Sequence, residues 1–187
     1  MPLPQSAPRN KIHDRQVECH GYLRDDGLWD IEGHLVDTKT YSFTTSHRGE
    51  VPAGVPVHEM WLRITVDDEL LIHEVDAVMD YHPYTICPQI TANFKRLKGL
   101  RIGRGFRRKV SEQVGTVEGC VHLQELLGPM ATTAFQTLAG HRFKSAKQDP
   151  DYRPPFLNTC HAHASTSVVV KEFWPRWYTG EEVETTK

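Results

Sequence analysis

The stretch Leu28-Trp29-Asp30-Ile31-Glu32-Gly33-His34-Leu35-Val36-Asp37 decides the fold class. Apolar residues alternate with acids and an imidazole, the period-two signature of a strand with one buried face. Just before it, Asp26-Gly27 in Arg24-Asp25-Asp26-Gly27 is a strong tight-turn signal, so 17–43 reads as a hairpin. Gly49, Pro52, Gly54 and Pro56 then mark 44–56 as a long loop. A second hairpin follows, with Met60-Trp61-Leu62-Arg63-Ile64-Thr65-Val66, a turn at Asp67-Asp68, and an apolar-rich return over 70–78. Residues 1–16 are polar and carry prolines, which predicts a loose arm.

After Tyr84 the period changes from two to helical. Ile90, Phe94 and Leu97 fall on one helical face behind Pro88, a residue suited to the first helical position, and Gly99 ends the run. A second helix is predicted over 106–114. A third begins near Cys120 and carries Leu123, Leu127, Met130, Ala134 and Leu138 on one stripe, with Pro129 expected to kink or divide it. Residues 141–155 are polar and proline-rich. A strand is predicted over 166–173, followed by the aromatic tail Trp174-Pro175-Arg176-Trp177-Tyr178. Strands first and helices second predict an α+β fold, an antiparallel sheet of two hairpins plus the C-terminal strand, with helices on one face. The expected organisation is one domain over 17–180, with its core in 57–140 and an extension over 141–180, and a tail over 181–187.

A chain of 187 residues can bury a sizeable core without disulfides. Its net charge of −2 gives no general attraction to nucleic acid or to an anionic membrane. No segment approaches the ~20 apolar residues of a membrane span. Met1-Pro2-Leu3-Pro4-Gln5-Ser6 lacks the apolar run of a signal peptide, so a soluble, cytoplasmic protein with reduced thiols is expected. Homo-oligomerisation is compatible with all of this. Cys19, Cys87, Cys120 and Cys160 are too far apart for a zinc knuckle, so the fold would have to assemble any shared metal site.

Cys87, before Pro88, and Cys120 both stand where a helix should begin. Unpaired N–H groups and the macrodipole at such a position favour a thiolate, the form that binds metal. With His58, His122, Cys160, His161 and His163 they make a sulfur and imidazole inventory that suits zinc, with iron as a second reading. The bland alternative is that Cys87 and Cys120 are small buried hydrophobes. Asp30, Glu32 and His34 share one face of their strand and are candidate ligand-contacting residues, although a solvated strand face shows the same alternation. Glu125 lies one turn from His122 and is a candidate partner for it, or else an ordinary exposed helix residue. Asp37 with Lys39 reads as a surface pair. The basic block Lys95, Arg96, Lys98, Arg101, Arg104, Arg107, Arg108 and Lys109 reads as a solvated surface.

The order of His58, the hairpin after it, Cys87, Lys98-Gly99 and Cys120 resembles, remotely, the U-type scaffold domain of iron–sulfur cluster assembly. That likeness implies a metal site at one end of the sheet, with Cys87 and Cys120 as ligands. His58 stands where the scaffold has cysteine, Met60 replaces its aspartate and Gly119 its histidine. These departures suit one stably held ion better than a labile cluster. A closer likeness covers nearly the whole chain. Gly27-Leu28-Trp29-Asp30-Ile31-Glu32-Gly33-His34-Leu35, Gly119-Cys120-Val121-His122-Leu123, Leu126-Leu127-Gly128-Pro129-Met130-Ala131-Thr132-Thr133-Ala134 and Thr159-Cys160-His161-Ala162 resemble the bacterial family DUF2889, a domain of unknown function.

These readings lead to one expectation and two alternatives. The expectation is an enzyme holding Zn2+, or else Fe, through His58, Cys87 and Cys120. The fourth position would go to Cys160, His122 or water, with His122, Glu125, Asp30, Glu32 and His34 as candidate catalytic groups. Its substrate would be a small, aromatic or hydroxylated molecule, with lyase-type C–C cleavage slightly ahead of hydrolysis. The alternatives are a metal or iron–sulfur carrier, and a non-catalytic domain with a closed structural metal.

Overall fold

The computed structural model describes residues 3–146 and 151–181. The chain forms two compact units, Met1–Gly140 and His141–Lys187. In the first unit, strands β1 (His13–Leu23), β2 (Trp29–Lys39), β5 (Pro56–Val66) and β6 (Ile72–Tyr81) form one antiparallel sheet in the order β1-β2-β5-β6. The short strands β3 (Phe43–Thr45) and β4 (Gly49–Val51) make a separate two-stranded ribbon inside the segment read as a long loop. Gly27 takes φ +84° in the β1–β2 turn, as the Asp-Gly signal required. The fold class is therefore α+β, as the element order predicted.

Helices cover one face of this sheet. A 3-10 segment, Cys87–Leu97, starts one residue before the expected Pro88, which is its second residue, α1 spans Phe106–Val114, and α2 spans Val121–Ala146. Trp29, Ile31 and Leu35 of β2 and Met60, Leu62 and Ile64 of β5 are buried against Phe94, Leu97, Phe106, Val110 and the α2 stripe. Every member of that stripe, Leu123, Leu127, Met130, Ala134 and Leu138, is buried. Two glycines let α2 lie close to the sheet. A Cβ at Gly21 would sit 1.9 Å from Thr137 Oγ1, and one at Gly33 would sit 2.7 Å from Met130 Sδ. Pro129 lies inside α2 and does not divide it.

Two boundaries differ from the sequence expectation. β1 begins at His13, so His13, Asp14, Arg15 and Gln16 belong to the sheet and not to the arm. The predicted strand over 166–173 is instead a helix, α3 (Val168–Phe173), in the second unit. The Val168-Val169-Val170 run has strand-like composition, but Ser167 caps it, its hydroxyl accepting from the Val170 N–H at 3.2 Å. The sheet thus has no C-terminal strand among the described residues. Nearby, Asn158 has φ +61° and its N–H donates to the His163 carbonyl at 2.8 Å, tying the loop that carries Cys160 and His163. The His163 ring packs against Phe156 and Trp174. No helix among the described residues is long and apolar enough to cross a membrane.

Candidate metal centre

Strand register builds a row of polar side chains across the covered face of the sheet. Arg15 of β1 lies opposite Asp37 of β2, and Asp37 lies opposite His58 of β5. Asp37 has the same parity as Trp29, Ile31 and Leu35, so it points under the helices and is only 1% exposed. At this point the β2–β5 register shifts, pairing Asp37 with His58 and then Thr38 with Pro56, so Val57 is the extra residue of a bulge. His122, the second residue of α2, completes the group from above.

The carboxylate of Asp37 is the hub. Arg15 grips both oxygens, Nε to Oδ1 at 2.7 Å and Nη2 to Oδ2 at 2.8 Å, the bidentate fork of a strong charge-assisted pair. His13 Nε2 lies 3.2 Å from Oδ1 and His58 Nδ1 3.1 Å from Oδ2. His122 Nε2 is 3.8 Å from Oδ2, and its ring lies over His58 with centroids 3.9 Å apart. The free Arg15 nitrogen, Nη1, donates to Glu125 Oε2 at 2.6 Å. Among the described residues, Asp37, His58 and His122 are the one set of three metal-ligating side chains whose donor atoms lie within 4.8 Å of one another.

The surroundings set the protonation states. Burial raises the Asp37 carboxyl, but the Arg15 guanidinium and His58 outweigh it and hold its pKa below the usual carboxylate range. Burial lowers His58, and the neighbouring His122 lowers it further. His122 is lowered by burial and then by Arg15. At neutral pH the centre is therefore one carboxylate and two neutral imidazoles, the forms in which these groups bind metal. Against ionised Asp37, neutral His58 donates from Nδ1, so that nitrogen can ligate an ion beside Asp37 only in the tautomer that carries the proton on Nε2.

The other predicted site residues fall in different places. Cys120 stands beside the centre, its Sγ 3.8 Å from His122 Nδ1, on the ring nitrogen turned away from Asp37. Cys87 opens the 3-10 segment and packs partly buried against the hydrophobic core. Cys160 belongs to the second unit, where its Sγ is 3.3 Å from His163 Nδ1. Glu125 hydrogen-bonds Arg15. Asp30, Glu32 and His34 lie on the opposite face of β2 from Asp37. There Asp30 accepts from Thr65 Oγ1 at 2.6 Å, Glu32 lies 4.0 Å from Arg63, and His34 stacks on Trp61 at 3.5 Å.

Sequence reasoning missed Arg15 and Asp37. Parity could have found Asp37, two residues beyond Leu35 on the buried face; Lys39 drew it toward a surface reading. Arg15 sat in a polar stretch with no apolar alternation, and nothing local marks it as a strand residue.

No curated protein and no solved structure matches this chain. The likeness to the U-type iron–sulfur scaffold finds no support in these comparisons. A family match does exist, and it spans residues 13–136, which include all four strands of the main sheet, α1, and every member of the Arg15–Asp37–His58–His122–Glu125 network. On that match the chain belongs to the family described as protein of unknown function, DUF2889.

Proposed function

We propose that Asp37, His58 and His122 hold a single divalent transition-metal ion, zinc first and iron second, in a metal-dependent enzyme. The observation that carries this reading is the convergence of one ionised carboxylate and two neutral imidazoles on one buried point of the sheet. Two histidines and a carboxylate are a donor set used by catalytic zinc and by mononuclear iron(II), and such sites keep positions open for water or substrate. A carboxylate has about four lone-pair sites, so Asp37 Oδ2 can serve a metal while Arg15 keeps its fork. A metal held there by Asp37, His58 and His122 would supply Lewis acidity, lowering the pKa of a water or substrate hydroxyl. Arg15 orients Asp37, and Glu125, exposed beside Arg15, is placed to take up the released proton. The substrate class is a small hydroxylated molecule, with C–C cleavage slightly ahead of hydrolysis.

One observation favours a second reading. Among the described residues no buried side-chain nitrogen or oxygen lacks a partner, so the network also serves as a structural pin between β1, β2, β5 and α2 without a metal. Elemental analysis of the purified protein separates the two. The enzyme reading expects about one zinc or iron per chain, lost in His58→Ala and His122→Ala and kept in Cys87→Ala. A protein that folds and stays metal-free when dialysed against either ion overturns it.

A further inference from the structure

A groove of about 440 Å³ runs between α1 and α2 and shares Glu125 with the centre. Its size lies within the ~300–1,000 Å³ range of small-ligand sites. Three features of its lining specify a ligand. The first is charge. Arg107 makes no ion pair among the described residues, whereas Arg96 pairs with Glu118, Arg101 with Glu69 and Arg108 with Glu112. Its Nη2 lies 3.6 Å from the point where a Gly128 side chain would begin, so the guanidinium reaches across the groove to α2. An unpaired guanidinium presents a fork suited to a carboxylate.

The second feature is a backbone acceptor. Pro129 has no N–H, so the carbonyl of Glu125, one turn earlier, loses its helical donor. Both residues line the groove. The third is an apolar wall of Val110, Val121, Leu127 and Pro129, with Val121 left 60% exposed at the start of α2.

We propose that this groove binds a small organic acid that carries an apolar body and a hydroxyl. The carboxylate pairs with Arg107, the body lies on Val121 and Pro129, and the hydroxyl donates to the Glu125 carbonyl. The inference deepens the enzyme reading only in calling this ligand a substrate; the binding site itself does not depend on the metal.

The test uses the full chain, stripped of metal, with para-hydroxybenzoate as probe and binding followed by amide chemical shifts. Saturable shifts at α1 and the first two turns of α2 are expected. Removing a charge-assisted pair should weaken binding about tenfold or more, so Arg107→Ala and the probe's methyl ester should each show that loss. Pro129→Ala returns a helical donor to the Glu125 carbonyl, and should weaken binding about fivefold while raising Tm. Because the protein is free of metal throughout, failure of the metal reading would leave this result standing. Equal binding of acid and ester, an unaltered affinity in Arg107→Ala, or no saturable shift in the groove would overturn the proposal.

Discussion

The two faces of β2 carry nearly the same chemistry and differ in what covers them. On the outer face, Asp30, Glu32 and His34 sit among Arg63, Thr65 and Trp61, open to solvent on one side. On the inner face, Asp37 sits under the start of α2 with Arg15, His58 and His122. Both faces offer acid, base and imidazole within hydrogen-bond reach. The difference lies in the carboxylate: the Asp37 side chain is 2% exposed, against 19% for Asp30 and 37% for Glu32, and burial beside Asp37 drives both inner histidines toward the neutral state. The lesson is that residue type marks candidates for a site, and burial selects among them.

The largest expected contrast comes from removing one acid on each face. Asp37→Ala strands Arg15, His13 and His58 around an empty hub, and breaking a buried, hydrogen-bonded charge network costs about 3 kcal/mol. Glu32→Ala removes only a 4.0 Å contact to a half-exposed Arg63, worth less than about 0.5 kcal/mol. Urea denaturation of the two variants measures the difference; equal losses would erase the distinction between the faces.

Next in size is the close approach of α2. Gly21→Ala places a methyl against the stiff, β-branched Thr137 and should cost about 2 kcal/mol through overpacking. Gly33→Ala meets the flexible end of Met130 and should cost less, about 1 kcal/mol. If Gly33→Ala proved the worse of the two, the packing account of α2 on the sheet would need revision.

Acidification should then act on the inner face. His58 and His122 have folded pKa values below their ordinary 6.5, so the unfolded chain takes up protons first as pH falls. Stability of the metal-free protein therefore declines from about pH 6.5 downward. Asp37, held below its ordinary 3.8, adds a second decline below about pH 4, as the unfolded chain protonates before the folded one. Stability against pH in the His58→Ala/His122→Ala double variant should lack the upper decline. Its persistence there would place the effect elsewhere in the molecule.

The smallest effect on metal binding is expected at the outer imidazole. His34→Ala removes a ring stacked 3.5 Å over Trp61 and a 3.2 Å contact to Glu59, together worth about 1 kcal/mol. It should leave metal binding unaltered, and a change in metal affinity would move the functional face to the other side of the sheet.

The core was legible because it rests on periodicity. The alternation of β2, the Asp26-Gly27 turn and the stripe from Leu123 to Leu138 each specify a buried face without reference to distant residues. The 166–173 segment was misread because three valines resemble a strand, while a single serine cap and the lack of a pairing strand make a helix. His58 and His122 were found by residue type and by their places near the ends of predicted elements. Arg15 and Asp37 escaped because their meaning is set by register, which joins residues 22 apart in the chain. Cys87 and Cys120 show the converse: a helix start favours a thiolate, but only the packing decides what else comes near it.

The central claim is that the metal donors are Asp37, His58 and His122 and not the thiols. Cobalt(II) binding to the metal-free protein tests it directly, since cobalt reports its donors by colour. The account predicts one cobalt per chain, with a weak visible spectrum of nitrogen and oxygen donors, no sulfur-to-cobalt charge-transfer band, and loss of binding in His122→Ala. A strong charge-transfer band that disappears in Cys87→Ala or Cys120→Ala would contradict it.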